Sequence, residues 1–172
     1  MSTADFPLPS SGPKCSFPPV LGPGVRLLIL GSLPGEKSLQ AGRYYAHPRN
    51  QFWRLAGDVI ERDLPALAYD DRLRALLDAG VGLWDVVASA TRQGSLDGNI
   101  RDHRTNPLAE IAGSLPMLRA VGFNGGTAAK LGSLALAGAR DLALLPLPSS
   151  SPAYTLPYDR KREAWLRLRE FL

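Results

Sequence analysis

The side chains best suited to chemistry in this 172-residue chain lie close together, between Gly31 and Asn50. Asn50 is a neutral amide. It can orient a water or the edge of a ligand but is no useful base at neutral pH. Tyr44 and Tyr45 precede it, and an aromatic ring can stack on a planar heterocycle. Gly31-Ser32-Leu33-Pro34-Gly35 is a Gly/Pro loop whose backbone N–H groups can stabilise a developing anion. His47, beside Pro48, is open to two readings: a phosphate or catalytic contact, and a packed, hydrogen-bonded histidine. Asn50 could equally serve as a helix cap, a position Asn favours. Further along, Ser149, Ser150 and Ser151 offer hydroxyls that suit phosphate oxygens or simply solubilise a loop.

The elements that must position these residues follow from apolar spacing. Val25 to Leu30 is a short apolar run ended by Gly31, as in a central strand of a parallel sheet. Ser32 to Arg43 has no sustained apolar period and reads as a loop over the carboxyl end of that strand, where open α/β sheets place ligands. Pro48 disfavours helix at His47, so a helix is expected to start near Arg49 or Asn50 and run to Arg62, with Phe52, Trp53, Ala56, Val59 and Ile60 on its buried face. Asp70 to Ala79 reads as a second helix, capped by Asp70 or Asp71 and closed by Gly80. Val81 to Val87 is strand-like. Ser89 to Thr105, with Arg92, Asp97, Asn99, Arg101, His103 and Arg104, is the longest stretch expected to lack regular structure.

Asn106-Pro107 opens a third helix. Arg119 to Phe123 is a buried strand, and a helix follows from Thr127 to about Leu136. Asp141 to Leu147 is the last strand, broken or ended by Pro146, and Asp159 to Phe171 the closing helix. Strands alternating with helices predict a three-layer α/β/α sandwich around a central, mostly parallel sheet of about four or five strands. The loops Ser32 to Arg43, Asn124 to Gly126 and Pro148 to Tyr154 then meet at one sheet edge. Residues 1–24, rich in Pro, Ser and Gly, form an irregular lead-in, disordered at its start and pinned by Phe17 or Val20. Residues 25–172 form a single domain.

Composition excludes several classes. A single cysteine, Cys15, rules out an intrachain disulfide framework, and with only two histidines a structural zinc site is not expected. No apolar run is long enough to span a membrane and no signal peptide is read, so a cytoplasmic protein is expected. The net charge of +4 leans towards anionic partners without establishing DNA binding. The Gly31–Ser38 stretch is not a P-loop, because three residues rather than four separate its glycines and Glu36 precedes Lys37. No Gly-x-Ser-x-Gly elbow supports an α/β hydrolase. The basic residues around Arg160 to Arg169 alternate with acids and read as a solvated helix face.

Gly31-Ser-Leu-Pro-Gly35 followed by Ala41-Gly-Arg-Tyr-Tyr45-Ala-His47-Pro48-Arg-Asn50-Gln-Phe52-Trp53 resembles the uracil-DNA glycosylase superfamily. Within it the hypoxanthine (deoxyinosine) DNA glycosylases are most alike, and the mismatch-specific uracil/thymine glycosylases come next. Gly82 to Val87, Phe123-Asn124-Gly125 and Leu147 to Ala153 look like further family segments in family order. The mismatch branch holds its attacking water with the Asn of Gly-x-Asn-Pro-Gly. Here that position is Leu33, which cannot, whereas the catalytic amide of the hypoxanthine branch corresponds to Asn50.

The resemblance implies a monofunctional DNA glycosylase acting on double-stranded DNA with a deaminated base, hypoxanthine first and uracil or xanthine as further substrates. Tyr45 would stack on the flipped base, Asn50 would position the water, and the Gly31–Gly35 loop with Asn124 would form the base pocket. His47 and Ser149 to Ser151 would hold DNA, with Pro152, Ala153 or Tyr154 pressing into the gap. No cofactor or metal is expected, and a monomer is the expected state. The alternatives are a G:U/T mismatch-specific uracil-DNA glycosylase and a non-catalytic damaged-DNA binding module of the same fold.

Overall fold

Leu27 and Ile29 pack into one apolar cluster, Leu28 and Leu30 into another, and all four are at most 1% exposed. Successive strand residues face opposite sides, so a strand apolar at every position needs cover on both. The computed structural model describes residues 12–139 and 141–172. The expected disorder of the first residues concerns positions 1–11, outside the described residues.

In chain order the elements are β1 (Lys14–Cys15), β2 (Leu27–Gly31), α1 (Glu36–Ala41), α2 (Phe52–Ile60), α3 (Tyr69–Asp78), β3 (Val81–Asp85), β4 (Val87–Thr91), β5 (Arg101–Thr105), α4 (Leu108–Ser114), β6 (Ala120–Asn124), α5 (Gly126–Ala135), β7 (Ala143–Leu147) and α6 (Tyr158–Leu166). Short 3-10 turns cover Leu64–Ala66, Asp97–Asn99 and Arg167–Phe171. The central sheet has four strands in the order β3-β2-β6-β7, every neighbouring pair parallel. On one face lie α2, α3 and α6, through Phe52, Leu55, Leu76 and Trp165. On the other lie α4 and α5, through Leu108 and Ala128. This is the three-layer α/β/α arrangement the alternation predicted. Fully burying one such large apolar side chain stabilises the fold by about 1.5–3 kcal/mol.

The structure departs from the sequence reading in several places. The stretch expected to be irregular between Ser89 and Thr105 is largely an antiparallel hairpin, β4 with β5, extended by β1 into a second sheet. All five β5 residues are exposed, so its sequence carries no apolar alternation to reveal it. The Ser32–Arg43 loop contains a one-turn helix, α1, closed by Gly42 in the left-handed region at φ 64°. Helix α2 begins at Phe52, and α3 begins at Tyr69 without a side-chain cap. Asp70 and Asp71 therefore sit in the first turn of α3, where negative charge suits a helix N-terminus. Strand β7 continues through Pro146 to Leu147, which an edge strand tolerates because one of its sides has no partner. The closing helix gives way to a 3-10 turn at Arg167. In the lead-in, Val20 exchanges backbone bonds with Leu83, and the Phe17 ring meets Tyr44 edge-on.

Candidate active site

The carboxyl ends of β2 and β6 open into a cavity of about 430 Å³. Every residue singled out from sequence lines it: Gly31 to Gly35, Tyr45, His47, Asn50, Asn124 and Ser149 to Tyr154. Parallel register explains the convergence, because Leu30 pairs with Phe123 and Asn124 with Leu147. The loops leaving these strands begin at one edge.

Asn50 lies just before α2. Its Oδ1 accepts the Phe52 N–H at 2.9 Å and the Ser150 hydroxyl at 2.8 Å. The backbone N–H can only donate, so it fixes the amide orientation and leaves Nδ2 as the remaining polar group. Ser150 accepts in turn from Asn124 Nδ2 at 2.9 Å, and its own N–H donates to Asn124 Oδ1 at 2.9 Å. The Gln51 N–H also donates to the Ser150 carbonyl at 3.0 Å. Asn124, Ser150 and Asn50 thus form one continuous polar chain linking β6, the loop after β7 and the start of α2.

Ser150 is grouped by the sequence reading with the residues that hold DNA. It is 1% exposed and its hydroxyl is committed to the two asparagines. Ser149 and Ser151 remain half-buried and brace the loop by accepting the N–H groups of Ser151 and Ala153. His47 Nδ1 accepts the Arg49 N–H at 3.0 Å, so in the neutral ring the proton lies on Nε2.

Tyr45 stacks on Phe52, with ring centroids 3.8 Å apart and planes 13° from parallel. Its backbone is left-handed at φ 52°, which costs a non-glycine residue about 1–2 kcal/mol and needs a surrounding structure that imposes it. Gly31 shows why no side chain stands there. A Cβ would lie 2.6 Å from Asp85 Oδ1 and 2.9 Å from the Tyr45 hydroxyl, closer than real Cβ atoms approach.

The Gly31–Gly35 loop turns its carbonyls into the protein. Val86 N–H donates to Gly31, Val87 N–H to Ser32 and Leu39 N–H to Gly35. The guanidinium of Arg92 donates to the carbonyls of Leu33 and Pro34. Among the described residues no acceptor engages the N–H groups of Ser32, Leu33 and Gly35, which leaves the loop with donors to offer. Pro34 contributes none. Leu33 is buried against Val87 and Ala90.

Sequence reasoning missed the opposite wall. Asp85, Ser95, Leu96 and Asp97 line the same cavity, and Arg92 braces it from behind. Asp85 is 3% exposed, and among the described residues its buried Oδ2 has no hydrogen-bond partner, while the buried Tyr45 hydroxyl lies near Asn124 without a bond of ordinary geometry. Burial, followed by the repulsion of Asp97, pushes the Asp85 carboxyl up to about 7, with Arg92 opposing. Burial also raises Asp97, whose Oδ1 accepts the Ser32 hydroxyl at 2.7 Å, and it raises the Tyr45 phenol. One signal was readable: Asp85 is a lone carboxylate inside an otherwise apolar run, Val81 to Val87. Among the described residues no cluster of three or more His, Cys, Asp or Glu is placed to hold a metal ion.

The parallel α/β/α sandwich thus gathers an oriented amide, a stacked tyrosine and a Gly/Pro loop at one strand edge. The chain belongs to the Uracil DNA glycosylase superfamily, whose pattern matches residues 18–169. A relative from Methanosarcina acetivorans, named hypoxanthine DNA glycosylase, is 36% identical over 151 residues, 88% of this chain and 94% of the relative. Another of that name, from Methanosarcina barkeri, is 44% identical over 112 residues, 65% of this chain and 71% of the relative. The solution NMR structure of a candidate uracil DNA glycosylase from Methanosarcina acetivorans superposes with a TM-score of 0.80 at 35% identity, covering 93% of this chain and 99% of that one.

Proposed function

We propose that the protein is a monofunctional DNA N-glycosylase that hydrolyses the bond between deoxyribose and a deaminated base, with hypoxanthine the favoured base and uracil or xanthine as further substrates. The observation that carries this reading is the Asn50 amide, locked by Phe52 and Ser150 at the rim of a base-sized cavity beside a loop of backbone donors. Relatives named hypoxanthine DNA glycosylase support the choice of base. Leu33, buried where the mismatch-specific branch carries an amide, argues against that branch.

In the proposed reaction the target nucleotide leaves the stack and its base enters the cavity. Tyr45, held flat by Phe52, supports the base plane. Asn50 holds a water whose oxygen bonds to the sugar C1′ as the C1′–N bond breaks. The bonding electrons leave with the base, and the N–H groups of Ser32, Leu33 and Gly35 stabilise that negative charge. Donors placed in this way are worth about 3–4 kcal/mol each when removed singly from other enzymes. The attacking water loses its proton to solvent. Asp85 lines the same cavity. His47 Nε2–H, Ser149 and Ser151 hold the strand, and Pro152 to Tyr154 fill the gap. Among the described residues no helix is long and apolar enough to cross a membrane. A cytoplasmic monomer is part of the same proposal.

The test is base release from labelled duplexes carrying deoxyinosine, uracil or xanthine, with excess protein and a chelator, read as alkali-labile sites. Cleavage chiefly at deoxyinosine is expected. Cleavage only at uracil would transfer the specificity to the mismatch-type reading. Tight DNA binding with no cleavage of any substrate would contradict the catalytic reading.

A further inference from the structure

Beside the base cavity lies a second concavity of about 810 Å³, lined by four arginines, Arg43, Arg49, Arg54 and Arg72, and by no aspartate or glutamate among the described residues. The two cavities share Tyr44, Tyr45, His47 and Asn50. The arginines come from separate elements: Arg43 and Arg49 from the loop that carries Tyr45 and Asn50, Arg54 from α2 and Arg72 from α3. Among the described residues none of the four has a carboxylate within ion-pair distance, although other arginines of the chain do.

Protein contacts orient three of the four guanidinium groups. Arg72 Nε donates to the Leu67 carbonyl at 2.9 Å and its Nη2 to the Pro65 carbonyl at 3.0 Å, and the guanidinium lies 5.4 Å from the Trp53 ring centre. The Arg43 guanidinium lies 5.2 Å from the centre of the Tyr69 ring, and Tyr69 is tied to the catalytic loop by accepting the Tyr44 N–H at 2.9 Å. The Arg54 guanidinium stacks 3.6 Å over Tyr158. Aromatic faces and main-chain carbonyls thus orient the guanidinium groups of Arg43, Arg54 and Arg72, and Arg49 is exposed on the same wall beside Asn50. A guanidinium oriented in this way matches phosphate oxygens by two parallel bonds, and a wall of one charge sign focuses field on an anion.

We propose that this arginine-lined concavity is a phosphate-binding site that takes internal phosphodiester groups of the DNA strand next to the extruded nucleotide. The proposal rests on the glycosylase reading above. The shared residues make the geometry specific. A nucleotide whose base occupies the first cavity has its flanking phosphates within one or two linkages of the second. Anchoring those linkages beside Asn50 would hold the strand in the extruded form.

The same phosphate chemistry could come from a DNA end, so the experiment separates the two sources. The affinity of wild type, Arg49→Ala and the double variant Arg43→Ala/Arg49→Ala for a deoxyinosine duplex is measured across a salt series, with the exposed Arg74→Ala as control. Each lost phosphate contact should lower the log–log salt slope by about 0.9, so the double variant should lose about two and Arg74→Ala none. Single neutral methylphosphonate linkages near the deoxyinosine should weaken wild-type binding at one or two positions and leave the double variant unaffected there. Equal slopes in the double variant and Arg74→Ala, or weakening at the same positions in wild type and double variant, would overturn the proposal. So would affinity that follows a 5′-terminal phosphate and no internal linkage. Wild-type base release on the same duplex keeps the outcomes apart: if wild type excises and the slopes do not change, this site fails alone, whereas no excision overturns the glycosylase reading itself.

Discussion

The Ser150 hydroxyl donates to Asn50 Oδ1 across 2.8 Å, joining residues 100 positions apart in the chain. That bond and the Phe52 N–H together occupy the acceptor side of the amide, so Asn50 can turn only its donor side to a ligand. An amide free to rotate would present either edge. The fixed orientation is the preorganisation that positioning a water requires.

Replacing Ser150 by alanine should therefore slow base release about ten- to a hundredfold at saturating enzyme, the range expected when a reacting group is misplaced by a fraction of an ångström. DNA affinity should change far less, because the hydroxyl is buried. Single-turnover kinetics alongside binding would show this. An equal loss in both would instead make Ser150 a DNA contact, as the sequence suggested.

Arg92 holds the carbonyls of Leu33, Pro34 and Gly94 from behind. Arg92→Lys keeps the charge but loses the fork that reaches several carbonyls at once. We expect a drop of about 1–3 kcal/mol in stability from unsatisfied buried carbonyls. The rate of base release should fall while DNA binding is largely kept, because the donor loop would lose its alignment. Thermal melting and single-turnover rates on the same preparation test both parts.

Burial and the neighbouring Asp97 push the Asp85 carboxyl up to about 7, above the ordinary carboxylate range. The folded protein therefore keeps a proton that the unfolded chain has already released. Stability contributed by this group is greatest below the ordinary range and falls as pH rises towards 7, by at most about 1.4 kcal/mol per pH unit. The groups facing it are Asp97, which strengthens the trend, Arg92, which weakens it, and the phenols of Tyr44 and Tyr45. The gain in melting temperature of Asp85→Asn over wild type should be small at pH 5 and clearly larger at pH 8. Parallel melting curves across that range would exclude a buried titrating Asp85.

Local patterns made much of the fold legible, and long-range pairing decided the rest. The apolar run through Leu27 to Leu30 marked a strand buried on both faces, and Pro48 placed the helix start within a few residues of Phe52. Asn50 and Tyr45 could be singled out because the motif keeps them five residues apart on the connection between α1 and α2. The β4–β5 hairpin was not, since Arg101 to Thr105 are all exposed and polar and their pairing with Val87 to Thr91 depends on partners outside the segment. Ser150 looked like its neighbours Ser149 and Ser151. Only the meeting of β6 with the loop after β7 turns its hydroxyl inwards. The arginine concavity escaped notice for a similar reason, as Arg72 reaches it from α3.

The central claim is that Asn50 positions the attacking water. It is tested most directly by the single-turnover rate of hypoxanthine release from a deoxyinosine duplex by Asn50→Ala beside wild type, with binding measured on the same DNA. The predicted rate is lower by about a hundred- to a thousandfold, the usual cost of deleting one preorganised polar group, with affinity nearly retained. Release at the wild-type rate by a folded Asn50→Ala protein would contradict it.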